Sequence, residues 1–185
     1  MMAVRKIVIY SENPEPLRKA CEPVYKVNKR VRKLADDLKD TLNAHPHGIG
    51  LAAPQINRHL RVIVVRLGGG PQTNQEPDPP IALINPEIIE ARQEKRDFDG
   101  CLSFPGLFAD TIRPHFLRVK GLDENGKTFE RIFEDFDAVV VHHEIDHLNG
   151  VLFIDRLEKL EDLYQIREDE YGNHMRVPVS VSLEG

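Results

Sequence analysis

The stretch Asp135–Gly150 reads DFDAVVVHHEIDHLNG and decides how the rest of the chain is interpreted. Its three consecutive valines alone would favour a strand, because β-branched residues fit a pleated surface. Positions four residues apart lie on one face of a helix, so a helix would place His143 and His147 side by side. We therefore predict a helix over about Asp135–Asn149, opened by an acidic residue and ended by Gly150 in a left-handed conformation.

The HExxH pattern within this helix predicts a metal site that carries its own base. Two imidazoles one turn apart can bind one ion, and Glu144 can reach a water at that ion without being a ligand. The alternative is a solvated helix with chance histidines, which the adjacent glutamate makes much less favourable. His142 points away from the predicted metal-binding face, so we expect it to be a surface or packing residue.

The third protein ligand would decide the class of enzyme, because a catalytic metal usually takes three protein ligands and one water. The metzincin pattern needs a histidine where this chain has Phe153. A thermolysin-like site needs a downstream glutamate, but those at 158–170 lie in a charged stretch typical of a solvated face. Cys101, in a turn-like DGCLS segment, could bind as a thiolate, and beside the histidine pair we favour it over a merely buried cysteine.

Three segments together closely resemble the peptide deformylase family, whose pattern is GxGxAAPQ, EGCLS and HExxH in that order. They are GIGLAAPQ at 48–55, DGCLS at 99–103 and HEIDH at 143–147. The resemblance covers about residues 4–157. It implies that Cys101, His143 and His147 bind one divalent metal. Family members commonly use Fe²⁺, although a Cys-His-His site also suits Zn²⁺, Ni²⁺ or Co²⁺.

The reaction implied by this resemblance removes the N-formyl group from the N-terminal methionine of newly synthesised polypeptides and releases formate. Glu144 would move the proton, which makes it the catalytic base and acid. The Gln55 side chain and the Leu102 backbone N–H would stabilise the oxyanion. The two alternatives are a metalloprotease with another third ligand and a non-catalytic binding module. The second is disfavoured because a structural metal site has no use for Glu144.

Residues for substrate binding are also implied by the resemblance. Gly50 would let the substrate backbone approach closely, as only a residue without Cβ allows. Ile49, Val139, Val140 and His143 would form walls of an apolar methionine pocket. The two valines are equally typical of a hydrophobic core, which is the commoner fate of such residues.

One motif departs from the family pattern, because Asp99 stands where the family has glutamate. The shorter side chain reaches about one carbon less far, which would alter a salt bridge bracing the Cys101 segment, for example to Arg113. We predict that the change is tolerated.

The remaining segments predict an α+β fold, with antiparallel or mixed sheets around a central helix that carries HExxH, because helices and strands are segregated. We expect residues 1–185 to form one catalytic domain, with an exposed Gly- and Pro-rich loop at 68–80. A helix is expected at Val27–Leu42, a short helix from Arg156, and an extended end at Arg176–Val181. The predicted strands are Lys6–Tyr10, Leu60–Leu67, Ile81–Ile84, Phe116–Leu122 and Thr128–Phe133.

Composition excludes several other classes of protein. A net charge of −5 lacks the basic excess of a DNA-binding protein. No run approaches the roughly 18 apolar residues of a membrane helix. Two cysteines without a signal peptide indicate free thiols in a reducing, cytoplasmic setting.

The tail at 158–185 also diverges from the family. Some members carry a basic C-terminal helix that docks on the ribosome, whereas residues 158–170 here are mostly acidic. RNA phosphates would repel such a segment. We expect N-formylmethionyl nascent peptides as partners, with only transient ribosome proximity. The tail is expected to pack on the domain or to add a strand near Val177–Val181.

Overall fold

A computed structural model describes residues 3–70 and 76–179 of the chain. The helices are α1 (Glu15–Arg18), α2 (Lys29–Asn43) and α3 (Asp135–Leu148), and short 3₁₀ helices span Ala53–Ile56, Phe153–Arg156 and Leu160–Asp162. The strands are β1 (Gly50–Ala52), β2 (Val62–Val65), β3 (Ile81–Gly100), β4 (Phe108–Leu122), β5 (Thr128–Glu134), β6 (Leu163–Glu168) and β7 (His174–Pro178).

These strands form one sheet in the order β1-β2-β3-β4-β6-β7, and β5 also pairs with β4. Each of these pairings is antiparallel. The long β3–β4 hairpin forms the centre of the sheet, and β4 packs against α3. The turn after β3 begins at Cys101, directly after Gly100. The α+β prediction, with antiparallel strands around the HExxH helix, is confirmed.

Helix α2 follows the predicted amphipathic pattern closely. The side chain of Asn28 caps its first turn by accepting the N–H groups of Arg30 and Val31 at 3.0 and 3.1 Å, which satisfies donors that lack a helical partner. The buried face packs on β1 and β2, so that α2 covers one side of the sheet.

Helix α3 is buried along most of its length, in agreement with the helix predicted there. It packs against β1, β2 and β4, and burial of its valines offsets their weak preference for helices. Gly150 follows the helix with φ of +72°, as predicted. Its Cα faces the carbonyl of Arg18, so a side chain at this position would clash.

The N-terminal prediction of a strand at Lys6–Tyr10 is wrong. The segment is extended, but its backbone bonds go to two different loops: Val8 donates to the carbonyl of Gln55 at 2.8 Å, and Tyr10 to that of Ser103 at 2.9 Å. A strand requires one continuous partner, which this segment lacks among the described residues.

The helix predicted from Arg156 is also wrong in part. A 3₁₀ helix covers Leu160–Asp162, but Leu163 and Tyr164 begin β6 and pair with the start of β4. β7 then folds back on β6, so the tail packs on the sheet and adds strands as expected. Val181 lies outside the described residues. The loop at 68–80 has no helix or strand in its described parts, 68–70 and 76–80, while residues 71–75 are also outside them.

Other strands are longer or shorter than predicted. β2 covers only the middle of the predicted Leu60–Leu67, whereas β3 continues far beyond Ile84. The charged residues of β3 hid its extent, because residues 91–96 in its middle are exposed on both faces. No helix within 3–70 and 76–179 has both the length and the apolar character to cross a bilayer.

Candidate metal centre

Three predicted ligands come together at the buried face of α3. The candidate ligand atoms of Cys101, His143 and His147 all lie within 4.8 Å of one another. Sγ of Cys101 is 3.3 Å from Nε2 of His147. The helix supplies the two imidazoles from adjacent turns, and the turn after β3 supplies the thiol from a distant part of the chain.

The orientation of His143 is set by Asp99. Nδ1 of His143 lies 2.7 Å from Oδ1 of Asp99, so Nδ1 carries the hydrogen and Nε2 is left for a metal. The other carboxylate oxygen accepts from Arg113 Nε at 2.6 Å and from the Thr111 hydroxyl at 2.8 Å. The salt bridge to Arg113 that the sequence suggested is therefore present, and its carboxylate also contacts a predicted ligand.

The partners of Asp99 stabilise the ionised form of its carboxyl group. Burial alone would raise its pKa, but His143 and Arg113 more than offset that effect and keep the pKa well below its usual range. The carboxylate is thus ionised wherever the protein is folded at moderate pH. An ionised acceptor strengthens the hydrogen bond to His143.

Sequence reasoning did not include two residues that extend this network, Asp146 and Arg156. Arg113 is fully buried and also donates to Asp146 at 2.8 Å. Asp146 in turn accepts two hydrogen bonds from Arg156, at 2.5 and 2.7 Å. A carboxylate inside the HExxH motif, one helical turn after His142, was the available signal for such a partner.

His142 behaves as the packing residue that the sequence suggested. Its Nδ1 lies 2.7 Å from an Nη of Arg113. Burial lowers the pKa of His142 to about 4, so at neutral pH the ring is uncharged and accepts from the guanidinium. Its ring lies in the Arg113–Asp146 network rather than among the ligand atoms.

Glu144 is buried beside the three ligands. Burial raises its pKa to about 7, and its Oε2 has no hydrogen-bond partner among the residues that the structure describes. The carboxylate lies over Gly50, where any Cβ would clash with it. Gly50 thus has a second physical reason to lack a side chain, besides the predicted approach of substrate.

The two predicted oxyanion donors lie near the thiol. Gln55 is on the 3₁₀ helix after β1 and is almost fully buried. Its Nε2 is 3.4 Å from Sγ of Cys101. Leu102 follows Cys101 directly, and its side chain packs against the core beneath α2.

The two valines of the predicted pocket are buried, which the core interpretation of the sequence allowed. Val139 and Val140 are 3% and 5% exposed, and Val140 belongs to the core cluster between α3 and the sheet. Ile49 packs against that cluster while remaining partly exposed. The core interpretation accounts for Val140, and the pocket role of Ile49, Val139, Val140 and His143 stays a prediction.

The donor set fits a divalent metal ion. One sulfur and two imidazole nitrogens are the ligands typical of zinc, iron, cobalt and nickel sites, and three protein ligands are the number that catalytic sites use. Two buried atoms near the ligands, Oε2 of Glu144 and Nδ1 of His147, lack partners within the described ranges. Such orphaned polar atoms are costly unless something else in the working site satisfies them.

Comparison with known proteins shows that the likeness to a known family covers most of the chain and not only the three motifs. The model of the polypeptide deformylase family matches residues 4–163. The chain belongs to this family. The match begins where the sequence resemblance begins and continues six residues beyond its expected end at 157.

Individual deformylases agree with the family assignment. A peptide deformylase of Hydrogenovibrio crunogenus is 44% identical over 155 residues, which cover 84% of this chain and 86% of that protein. The crystal structure of a peptide deformylase from Legionella pneumophila has a TM-score of 0.75 at 39% identity, covering 85% and 88% of the two chains. A class I type b peptide deformylase from Acinetobacter baumannii bound to Met-Ala-Ser has a TM-score of 0.77 at 32% identity, covering 85% and 100%.

Proposed function

We propose that Cys101, His143 and His147 bind the catalytic metal of a peptide deformylase and that Glu144 moves the proton. The reaction is the hydrolysis of the N-formyl group on the N-terminal methionine of newly synthesised polypeptides, with release of formate. The observation that carries the proposal is the meeting of three ligand atoms within 4.8 Å, beside a buried carboxylate, in a chain of this family.

The metal, when bound, supplies a Lewis acid that lowers the pKa of water and polarises a carbonyl group. We assign Fe²⁺ to this role, because the family commonly uses it. Zn²⁺, Ni²⁺ and Co²⁺ suit the same ligands.

The chain's own residues handle the proton and the developing charge. Glu144 accepts a proton from the attacking water and returns it to the methionine nitrogen as the C–N bond breaks. Burial raises the pKa of Glu144 above that of an exposed carboxyl, which favours a group that must first accept and then donate a proton. The Gln55 amide and the Leu102 N–H donate to the formyl oxygen as it becomes negatively charged.

The substrate is positioned by backbone and apolar contacts. We infer that Gly50, which has no Cβ, lets the peptide backbone approach beside Glu144, and that Ile49 and the small exposed parts of Val139 and Val140 contact the methionine side chain. The complex of the Acinetobacter enzyme with Met-Ala-Ser supports a site that takes a short N-terminal peptide. In this proposal the enzyme binds nascent peptides in the cytoplasm and is only transiently close to the ribosome.

The decisive experiment measures formate release from formyl-Met-Ala-Ser by the anaerobically prepared wild type, Glu144→Gln and Cys101→Ala. Glu144→Gln keeps the shape and should keep the metal, but we expect kcat to fall by about 10²–10⁴-fold because the proton acceptor is lost. Cys101→Ala should lose both metal and activity. If Cys101→Ala keeps full metal content and activity, the deformylase site is assigned wrongly.

A further inference from the structure

The carboxamide of Gln55 is held on both of its sides. Its Oε1 accepts the backbone N–H of Ala52 at 2.8 Å, and because a backbone N–H can only donate, the amide cannot be flipped. Its Nε2 therefore faces the other way, 3.1 Å from the hydroxyl of Ser103 and 3.4 Å from Sγ of Cys101.

The hydroxyl of Ser103 must act as an acceptor here, because an amide NH₂ group offers only donors. The two hydrogens of the Gln55 amide then point in different directions. One is donated to the Ser103 hydroxyl, and the other points towards Cys101. Without that acceptor only the bond from Ala52 to Oε1 would fix the last torsion, which is broad for a glutamine side chain, so the direction of the N–H bonds would be held less closely.

We propose that Ser103 is a positioning residue for catalysis, whose hydroxyl holds one N–H of Gln55 so that the other points at the formyl oxygen. This inference rests on the proposed function, since it requires Gln55 to be an oxyanion donor. Ser103 itself does not touch the substrate. Its side chain is fully buried, so the hydroxyl is shielded from water that would compete for the amide.

Backbone hydrogen bonds from the N-terminal segment also hold Gln55 and Ser103 in place. Val8 and Tyr10 of the N-terminal segment donate to the carbonyls of Gln55 and Ser103, at 2.8 and 2.9 Å. The ring of Tyr10 stacks on Phe104, with centroids 4.7 Å apart. One segment thus ties together the two loops that carry the amide and the hydroxyl, which keeps the distance between them constant.

A double-mutant cycle tests the inference. Ser103→Ala should lower kcat for formyl-Met-Ala-Ser by about tenfold to a hundredfold, as misplacement of a catalytic group can, with KM changed less than about twofold. The same substitution in a Gln55→Ala background should cause no further loss, because the residue that Ser103 positions is already absent. The metal-to-protein ratio and the unfolding midpoint are measured for all four proteins.

Thr41→Val is the matched control. Thr41 is also fully buried, and its hydroxyl donates to the carbonyl of Asp37 at 2.6 Å on α2, away from the ligands. Its loss should lower the unfolding midpoint and leave kcat unchanged.

Two results would overturn the inference. One is a loss of kcat by the same factor with and without Gln55, which would mean that Ser103 acts independently of it. The other is loss of metal or of folded protein in Ser103→Ala, which would assign the hydroxyl to support of the ligand loop. If Gln55→Ala alone keeps its kcat, the proposed role of Gln55 fails instead, so the two failures are distinguishable.

Discussion

At the scale of single residues, the most informative departure from the family pattern is Asp99. The side chain is buried, and each of its oxygens has a partner: His143 for one, Arg113 and Thr111 for the other. A glutamate would need room for one more methylene in this packed site, and extra methylenes in a packed core usually destabilise. The shorter residue is thus matched to its surroundings.

We therefore expect Asp99→Glu to give no sharp increase in formate release. Asp99→Asn should weaken metal binding by about 10–100-fold, since partners that orient a ligand histidine commonly have that effect. Competition with a chelator measures it. Asp97→Asn is a matched control on the same strand, because Asp97 lies beside His115 rather than a ligand. Equal metal affinity in Asp99→Asn and wild type would contradict the assigned role.

At the scale of elements, the tail forms a hairpin on the sheet, as expected, but the hairpin begins at Leu163, where the helix from Arg156 was predicted to continue. Leu163 and Tyr164 are buried and pair with Ala109 and Phe108 at the start of β4. β7 lies outside them and is largely exposed. The buried contacts of the attachment are therefore made by the first two residues of β6, and Arg176 of β7 adds an exposed ion pair to Asp110.

Two truncations separate these contributions. A chain ending at Glu168 should keep its kcat and lose only a little stability. A chain ending at Leu160 should unfold at a markedly lower temperature, because removal of a large buried side chain costs about 2–5 kcal/mol. Thermal unfolding and formate release measure both. A salt-dependent ribosome affinity that vanishes in the shorter chain would contradict the view that this tail packs on the domain.

At the scale of the whole molecule, Cys21 lies where the N-terminal segment meets the end of α3. Its backbone N–H donates to the carbonyl of Leu148 at 2.9 Å, and its thiol packs in the core between α3 and the sheet. Burial raises the pKa of this thiol from 9.0 to about 11. The folded state thus holds the proton more tightly than the unfolded state does.

This shift predicts a loss of stability at alkaline pH. The contribution is fully present below pH 9 and disappears as pH rises towards 11, because only the unfolded thiol ionises in that window. Wild type should therefore lose on the order of 1 kcal/mol more than Cys21→Ala between pH 8 and 10.5, after allowance for solvent screening. Urea unfolding at both pH values measures it. Parallel losses in the two proteins would show that Cys21 is not responsible.

The local elements could be predicted from the sequence because each has a signal in adjacent residues. The period of apolar residues predicted α2, and the spacing of His143 and His147 predicted α3 against the preference of its valines. The three motifs identified the family and its reaction. Misjudged segments, Lys6–Tyr10 and Leu163–Tyr164, take their conformation from distant partners, which no local pattern records.

The sequence by itself thus determined the α+β class, the HExxH helix, the family and the types of ligand that can bind a metal. Only the tertiary structure decided that Asp99 contacts His143, that Arg113 contacts Asp146, and that Ser103 faces Gln55. The reason is physical: helix periodicity and turn chemistry act over a few residues, whereas these contacts join side chains more than thirty residues apart. Their geometry is set by the packing of whole elements, which a single stretch of sequence does not contain.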